Sequence, residues 1–303
     1  MALVQFNPDF DRAASGAAGA AKLKKEKPAN MPWAYLRLPP FPQVAVKVLQ
    51  LVTNENVQLH ELCDLISSDA AFASEVLTVA NSALYAPRYP ANSILQAVAV
   101  LGADMLHGMC VTVGVRAYLG KSMNNPAMRA LWRHSLACGI VAQKLAAGGL
   151  VDEYTAYTAG ILHDIGRVAL TVIRPREYAG LLGTHRGPAA SILDHEQELF
   201  GWNHCEAGQS LVSGWKLPKE FEEVVLGHHD PRRNDGAWGL SELMKMSCAI
   251  ADAAGYPAFS GCEAVPYEEL LERLPARERR LFYPKAGPLS RDIAAAVSAI
   301  ESV

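Results

Sequence analysis

Apolar residues recur at helical spacing in one segment of this chain after another, and no other feature limits the fold as strongly. Val44, Val48 and Leu51, for example, fall on one face of a helix. Similar spacing occurs in residues 59–66, 70–80, 93–106, 128–147, 153–173, 190–199, 204–213, 218–228 and 240–254. Gly, Pro and Asn residues separate these segments, and alternation of the strand type is nowhere long. We therefore predict an all-α fold.

Composition and turn-forming residues divide the chain into four parts. Residues 1–30 are rich in Ala, Gly and Lys without periodicity, which predicts a mobile tail. Residues 31–122 are predicted to form an amino-terminal helical bundle and residues 123–257 a second helical half, because Gly-Lys-Ser-Met-Asn-Asn-Pro at 120–126 interrupts the pattern. Residues 258–303 predict peripheral helices, which either pack on the second half or join two copies into a homodimer.

The composition excludes several classes of protein. Hydrophobic residues make up 50% of the 303 residues and charged residues 19%, a balance that excludes wholesale disorder. No uninterrupted apolar run reaches the roughly 18 residues of a membrane-spanning helix. The formal net charge of -3 gives no overall attraction to nucleic acid or to an anionic membrane. We expect neither as a partner.

The cysteines indicate the compartment. Six cysteines are scattered without a C-x-x-C pair, and most lie within apolar helical segments. They are interpreted as small buried hydrophobic residues in a reducing environment. The Ala- and Gly-rich stretch at 13–21 precedes a cluster of lysines, which reverses the order of a secretory signal. We therefore expect a cytoplasmic protein.

The segment Gly160-Ile161-Leu162-His163-Asp164-Ile165-Gly166 places a His-Asp pair inside an otherwise apolar helical stretch. Burying an ionised carboxylate costs several kcal/mol unless a counter-charge or a full set of hydrogen-bond donors meets it. Asp164 therefore needs a partner, and a metal cation is the simplest one. The alternative is a buried hydrogen bond between His163 and Asp164.

Further imidazoles and carboxylates lie on or beside apolar helical stripes. His134 precedes His163 by a helix, a Gly-Gly turn and the start of a returning helix, an arrangement that brings the two side chains opposite each other. The downstream candidates are His204, His228, His229 and Asp252. Imidazole and carboxylate ligands suit Fe, Mn, Zn, Co or Ni, and the lack of thiolate spacing argues against a closed structural zinc site. For the three downstream histidines, capping of a helix end is the alternative.

A series of motifs in fixed order extends over about residues 31–255. The motifs are Leu38-Pro39-Pro40-Phe41-Pro42, Ile66-Ser67-Ser68-Asp69, Ala80-Asn81-Ser82, Leu101-Gly102, Leu131-Trp132-Arg133-His134-Ser135, the Gly160–Gly166 segment, Phe200-Gly201-Trp202-Asn203-His204, Trp215-Lys216-Leu217-Pro218 and His228-His229. The sequence resembles the HDOD (HD-related output domain) proteins of bacterial signalling. The ordered set of His134, His163-Asp164 and Asp252 resembles the metal ligands of the wider HD phosphohydrolase superfamily.

This resemblance implies an amino-terminal helical bundle packed on an HD-like half that holds any metal. HDOD proteins are regarded as signal-transduction modules, many without demonstrated catalysis. The related HD-GYP phosphodiesterases hold one metal ion with residues like His134, His163, Asp164 and Asp252. They hold a second ion with residues like His204, His228 and His229, and the dyad Asp bridges the two. By analogy with these relatives, the cofactor is one or two divalent ions, Fe or Mn.

Other positions depart from the phosphodiesterase pattern. The loop after His229 lacks the Gly-Tyr-Pro expected there, and Gly255-Tyr256-Pro257 lies out of register with it. Ser135 replaces an acidic residue that supports a third metal in some relatives. These departures count against a phosphodiesterase of that type.

Three functions remain open from the sequence. The favoured one is a bacterial cytoplasmic regulatory protein with a retained metal site, which acts on a signalling protein or a nucleotide-type ligand. The second is an active metal-dependent phosphohydrolase or cyclic-nucleotide phosphodiesterase, with Asp164 and His163 as its catalytic residues. The third is a metal-free interaction scaffold.

Overall fold

Helices form the regular structure of the computed structural model, which describes residues 40–52, 59–82, 89–230 and 238–301. These residues contain no strand, only an isolated bridge between Gly187 and Cys262. The all-α prediction is therefore confirmed. Within this part of the chain no helix has both the length and the apolar character needed to cross a bilayer. The predicted tail at residues 1–30 lies outside the described residues.

The amino-terminal half consists of short helices, some with polar caps at their first turn. The Asp69 side chain accepts hydrogen bonds from the backbone amides of Ala71 and Phe72, both at 3.1 Å, and so fixes the start of the third helix. Ser93 caps the fourth helix in the same way. The helices are α1 (Gln43–Val52), α2 (Leu59–Ser67), α3 (Ala70–Ala80), α4 (Ile94–Leu101) and α5 (Ala103–Leu119).

A 3₁₀ segment, Gly120–Asn124, leads into the second half. The first helix there begins at Pro126. Proline has no backbone N–H, so none is left without a partner at this position, and Asn125 caps the helix. The helices of this half are α6 (Pro126–Ala146), α7 (Glu153–Leu162), α8 (Gly166–Ile173), α9 (Pro175–Thr184), α10 (Ile192–Phe200), α11 (His204–Gly214), α12 (Lys219–Gly227) and α13 (Leu240–Ala253). The carboxy-terminal helices are α14 (Tyr267–Arg273), α15 (Ala276–Arg279) and α16 (Ala286–Glu301).

All described residues belong to one compact unit. The two halves meet where α5 packs on α7, and the Thr112 and Tyr157 hydroxyls lie 2.8 Å apart at this contact. The division at residue 122 stays a prediction. Helix α16 packs on α6, where Arg133 forms a two-point ion pair with Glu301 at 2.8 and 2.7 Å. The carboxy-terminal segment thus packs on the second half, and homodimer formation stays a prediction.

Two close helix crossings, each built on glycine, position the His-Asp pair. Gly160 on α7 faces Gly139 on α6, and a Cβ added at Gly160 would overlap the Gly139 backbone. Gly166 at the start of α8 faces α11, and a Cβ there would overlap the carbonyl oxygen of His204. Because glycine has no side chain, the backbones can approach this closely. His163 and Asp164 lie in the short connection between these two crossings.

We expect Gly160→Ala to destabilise the protein by about 1–3 kcal/mol, because the new methyl group must push α6 and α7 apart. Gly180→Ala is the matched control. Gly180 lies within α9 with open space around its Cα, and alanine there should stabilise the helix by about 0.5–1 kcal/mol. Urea unfolding of both variants measures the difference. Equal stability of the two variants would show that α6 and α7 do not need the close crossing.

Candidate metal centre

The seven residues predicted as ligands meet in one buried cluster, drawn mostly from helix ends. Asp164 is at its centre. The Nε2 atoms of His204, His228, His163 and His134 lie 3.2, 3.5, 3.7 and 3.9 Å from its carboxylate oxygens. The His229 ring centroid is 4.1 Å from that of His228, and Asp252 Oδ1 is 3.4 Å from His134 Nδ1. Asp164 and the four histidines around it are at most 4% exposed. The structure therefore brings the five histidines together around Asp164 and places Asp252 beyond His134, and the role of all seven as ligands stays a prediction.

The four histidines nearest Asp164 are all oriented through Nδ1. The acceptors are the Tyr256 carbonyl for His134 (2.7 Å), the Gly160 carbonyl for His163 (2.7 Å), the Val225 carbonyl for His228 (3.0 Å) and Glu196 Oε2 for His204 (2.6 Å). A carbonyl or an ionised carboxylate only accepts hydrogen bonds, so this network assigns the proton to Nδ1 in each ring. In the neutral form of each ring, Nε2 then presents a lone pair toward the Asp164 side, as metal-binding histidines do.

Helix ends explain two of these orientations. His163 follows the last residue of α7, and His228 follows the last residue of α12. Each imidazole donates to the carbonyl oxygen three residues earlier, one of the carbonyls that a helix end leaves without an intrahelical partner. The ring orientations of His163 and His228 therefore follow from where α7 and α12 end.

Asp164 carries a negative charge that its protein neighbours satisfy only in part. Arg167 Nε lies 2.8 Å from Oδ2, yet neither carboxylate oxygen has a hydrogen bond of good geometry, so this contact is an ion pair by distance alone. Burial raises the pKa of Asp164, but the charges of Arg167, His163 and His204 outweigh it and hold the pKa well below its ordinary value. Both oxygens remain available to a cation.

Sequence reasoning missed Glu196, which orients His204. Its Oε2 accepts hydrogen bonds from the Nδ1 and the backbone amide of His204 at 2.6 and 2.8 Å. Its Oε1 accepts from the Tyr178 hydroxyl at 2.7 Å and from Arg167 Nη1 at 3.3 Å. Burial raises the pKa of Glu196, but His204, Arg167 and Tyr178 together lower it to about 2. The sequence did contain a signal for its burial: Glu196 lies four residues after Ile192 and four before Phe200, and so falls on the same face of α10 as these two apolar residues.

The donor atoms form two groups. Asp164, His204, His228 and His229 make one, and His134, Cys138, His163 and Cys248 make the other, with the atoms of each group within 4.8 Å of one another. The two cysteines are buried, as expected, but they were not predicted from the sequence to belong to the site. Their spacing was a usable signal, because Cys138 follows His134 by four residues and Cys248 precedes Asp252 by four.

Asp252 lies outside both groups. Its Oδ1 faces Nδ1 of His134, on the far side of the ring from Asp164, and its Oδ2 is 3.5 Å from the Cys262 thiol. Burial raises the pKa of Asp252 to about 6, although the charge of His134 acts in the opposite direction. Asp252 therefore contacts the His134 nitrogen that donates to the Tyr256 carbonyl, and it does not contact the nitrogen that faces Asp164.

Apolar side chains enclose Asp164 on the side of the amino-terminal half. A cavity of about 20 Å³ lies against Asp164 and Arg167, enough for about one water molecule. Its other walls come from α5, α6 and α8, and include Val115, Leu131 and Val168. A larger cavity, of about 500 Å³, shares the wall residue Trp132 with this one and is also lined by Arg116 and Arg129.

Comparison with known proteins gives the same family and fold. The family model for the HDOD domain matches residues 38–231. An HDOD domain protein of unknown function from Geobacter sulfurreducens superposes with a TM-score of 0.69 and 24% identity over 87% of this chain and 92% of that chain. A proposed phosphohydrolase from Shewanella amazonensis gives 0.63 and 23% over 89% and 97%. A proposed signal-transduction protein from Marinobacter aquaeolei gives 0.66 and 21% over 88% and 60%. At these identities the similarity concerns the fold.

Curated relatives match over part of their length. A Treponema pallidum protein described as uncharacterised is 27% identical over 201 residues, which cover 64% of this chain and 38% of that protein. Ribonuclease Y of Thermus thermophilus is 31% identical over 147 residues, which cover 48% of this chain and 20% of that enzyme. The chain thus spans well under half the length of these two relatives.

Glu196 should make the stability of the protein sensitive to acid. A carboxyl group whose pKa falls from 4.5 to about 2 on folding stabilises the fold above pH 4.5, and this contribution is lost as the pH falls toward 2. The contribution is on the order of 3 kcal/mol. We expect Glu196→Gln to lack this part of the pH dependence.

Urea unfolding between pH 7 and pH 2 checks this prediction, with Glu198→Gln as the control because Glu198 is exposed on the same helix. Wild type and Glu198→Gln should show the same pH profile, and Glu196→Gln a flatter one. Three matching profiles would contradict the role assigned to Glu196.

Proposed function

This chain belongs to the HDOD domain family, and we propose that it is a bacterial cytoplasmic regulatory protein whose HD-like half binds a divalent metal ion. It acts by binding a signalling protein or a nucleotide-type ligand, without turnover. One observation carries this proposal: four buried imidazoles are held through Nδ1 and direct Nε2 toward one carboxylate.

The charges of the cluster support a cation. Asp164 and Glu196 bring two negative charges into the buried cluster, and Arg167 brings one positive charge that contacts both. The imidazoles, with their Nδ1 protons directed outward, add lone pairs and no charge when neutral. With all the imidazoles neutral, as the ligands of a metal are, the cluster keeps a net negative charge. Leaving that charge uncompensated is costly, and a divalent ion compensates it.

The residues present fit a metal ion. His204, His228, His229 and Asp164 offer one set of donors, and His134 and His163 offer further imidazoles on the other side of Asp164. When bound, the ion supplies a positive charge that locks these helix ends together. By analogy with HD relatives we propose iron or manganese, as one or two ions.

Burial of Asp164 among the described residues supports binding over turnover. Asp164 and the four nearest histidines are buried, and the cavity at Asp164 has room for about one water molecule. A phosphoester substrate needs more space than that.

A second candidate is a metal-dependent phosphohydrolase or phosphodiesterase. The partial match to ribonuclease Y favours it, and so does the place of Asp164 between the two donor groups. A metal ion at such a carboxylate lowers the pKa of a bound water and polarises a phosphoryl oxygen. In that reaction Asp164 and His163 would be the catalytic residues, because they would hold the metal ion at which the phosphoester reacts.

Metal analysis of the full chain, purified without a metal-affinity step, tests the proposed site. We expect stoichiometric iron or manganese in wild type and a loss of that metal of at least about tenfold in Asp164→Asn, because the carboxylate donor is gone. Asp194→Asn is the control, since Asp194 is exposed on α10. Folded wild type with only trace metal would favour the metal-free scaffold.

Turnover separates the first two candidates. The metal-loaded protein should release no product from cyclic dinucleotides or from a generic phosphodiester above the level of Asp164→Asn. Hydrolysis by wild type and Asp194→Asn that disappears in His163→Ala and Asp164→Asn, with the helical content unchanged, would replace the regulatory proposal by the enzymatic one.

A further inference from the structure

Two cysteines lie beside the two histidines of one donor group. Cys138 is one helical turn after His134 on α6, and Cys248 comes from α13. Donor atoms of these residues and of His163 lie within 4.8 Å of one another, and all four side chains are buried. We propose that His134, Cys138, His163 and Cys248 bind a zinc ion through two thiolates and two imidazoles.

The imidazoles are set for this role. Nδ1 of His134 donates to the Tyr256 carbonyl and Nδ1 of His163 to the Gly160 carbonyl, both at 2.7 Å. In the neutral, metal-binding form of each ring the Nε2 atom therefore carries the lone pair. The Nε2 atom of His163 is fully buried and has no hydrogen-bond partner among the described residues. An unsatisfied buried acceptor in this position is accounted for by a cation.

The spacing of the donors fits tetrahedral zinc. Bond lengths of about 2.3 Å to sulfur and 2.0–2.1 Å to nitrogen give edges of about 3.5 Å between N and S and about 3.8 Å between two sulfurs. The Cys138 Sγ and His134 Nε2 atoms are 3.4 Å apart, which already matches such an edge. The remaining donor pairs, all within 4.8 Å, need only side-chain adjustment.

Charge and ligand softness select the ion. Zn²⁺ with two thiolates and two neutral imidazoles carries no net charge, which suits a site buried among apolar helices. Thiolates favour zinc over manganese, whose preferred ligands are oxygens. The Asp164, His204, His228 and His229 group contains no sulfur, so the two groups differ in the metal they prefer.

This inference rests on the proposed function in that both place a cation beside His163. It differs in the ligands. The proposed function requires only that a divalent ion binds, whereas the inference requires sulfur in its coordination shell. An experiment that reports binding and sulfur ligation separately can therefore reject one without the other.

Titration of this chain, stripped of metal, with Co²⁺ reports both metal binding and sulfur ligation. Tetrahedral Co²⁺ should give strong visible bands and a sulfur-to-cobalt charge-transfer band. The charge-transfer band should weaken in Cys138→Ala and in Cys248→Ala. It should persist in Cys110→Ala, because Cys110 is fully buried on α5 outside both donor groups.

The outcome of the Co²⁺ titration distinguishes the sulfur-ligated site from the proposed function. Stoichiometric Co²⁺ binding without a sulfur band would overturn the inference and leave the proposed function intact. No Co²⁺ binding by folded protein would overturn both. If a cysteine variant fails to fold, X-ray absorption at the zinc edge of wild type answers the question. It should show sulfur at about 2.3 Å, and a shell of nitrogen and oxygen alone would overturn the inference.

Discussion

The arrangement of this protein depends on the buried carboxylate of Asp164. It lies in an apolar surrounding with Arg167 as its ion-pair partner, while four imidazole Nε2 atoms lie 3.2 to 3.9 Å away. Arg167 also contacts Glu196, so one guanidinium serves two carboxylates. With neutral imidazoles the cluster has an uncompensated buried negative charge, and the proposed cation would compensate it. This charge balance is the physical reason for proposing an ion in the second half of the fold.

The backbone supplies the geometry of the container. The glycine crossings at Gly160 and Gly166 bring α6 and α11 against the ends of the His-Asp connection. The helix ends then orient the rings, since His163 and His228 each use a free carbonyl of the preceding helix. His204 receives the same constraint from Glu196 on α10. The site thus uses groups that helix formation leaves unsatisfied, and few of its contacts need long side chains.

The helical class and the cluster around Asp164 could be predicted from the sequence, whereas three further residues of the site could not. Helical periodicity gave the all-α class, and the rule that buried charges need partners gave the cluster around Asp164. Glu196, Cys138 and Cys248 were missed because spacing does not show which other helix a residue meets. Glu196 meets His204 across the turn between α10 and α11, and Cys138 meets Cys248 across two different helices. Periodicity assigns a residue to a helix face, but only the crossing of α6 and α13 decides that Cys138 and Cys248 meet. The position of Asp252 behind the His134 ring likewise depends on how α13 ends.

The central claim is that a metal ion lies among the donors around Asp164, and element-specific anomalous diffraction from crystals of the full chain tests it most directly. The account predicts an anomalous peak within bonding distance of the Asp164 carboxylate or of the His163 Nε2 atom, at the absorption edge of a transition metal. A well-ordered cluster with no anomalous peak, in which Arg167 alone satisfies both Asp164 oxygens, would contradict it.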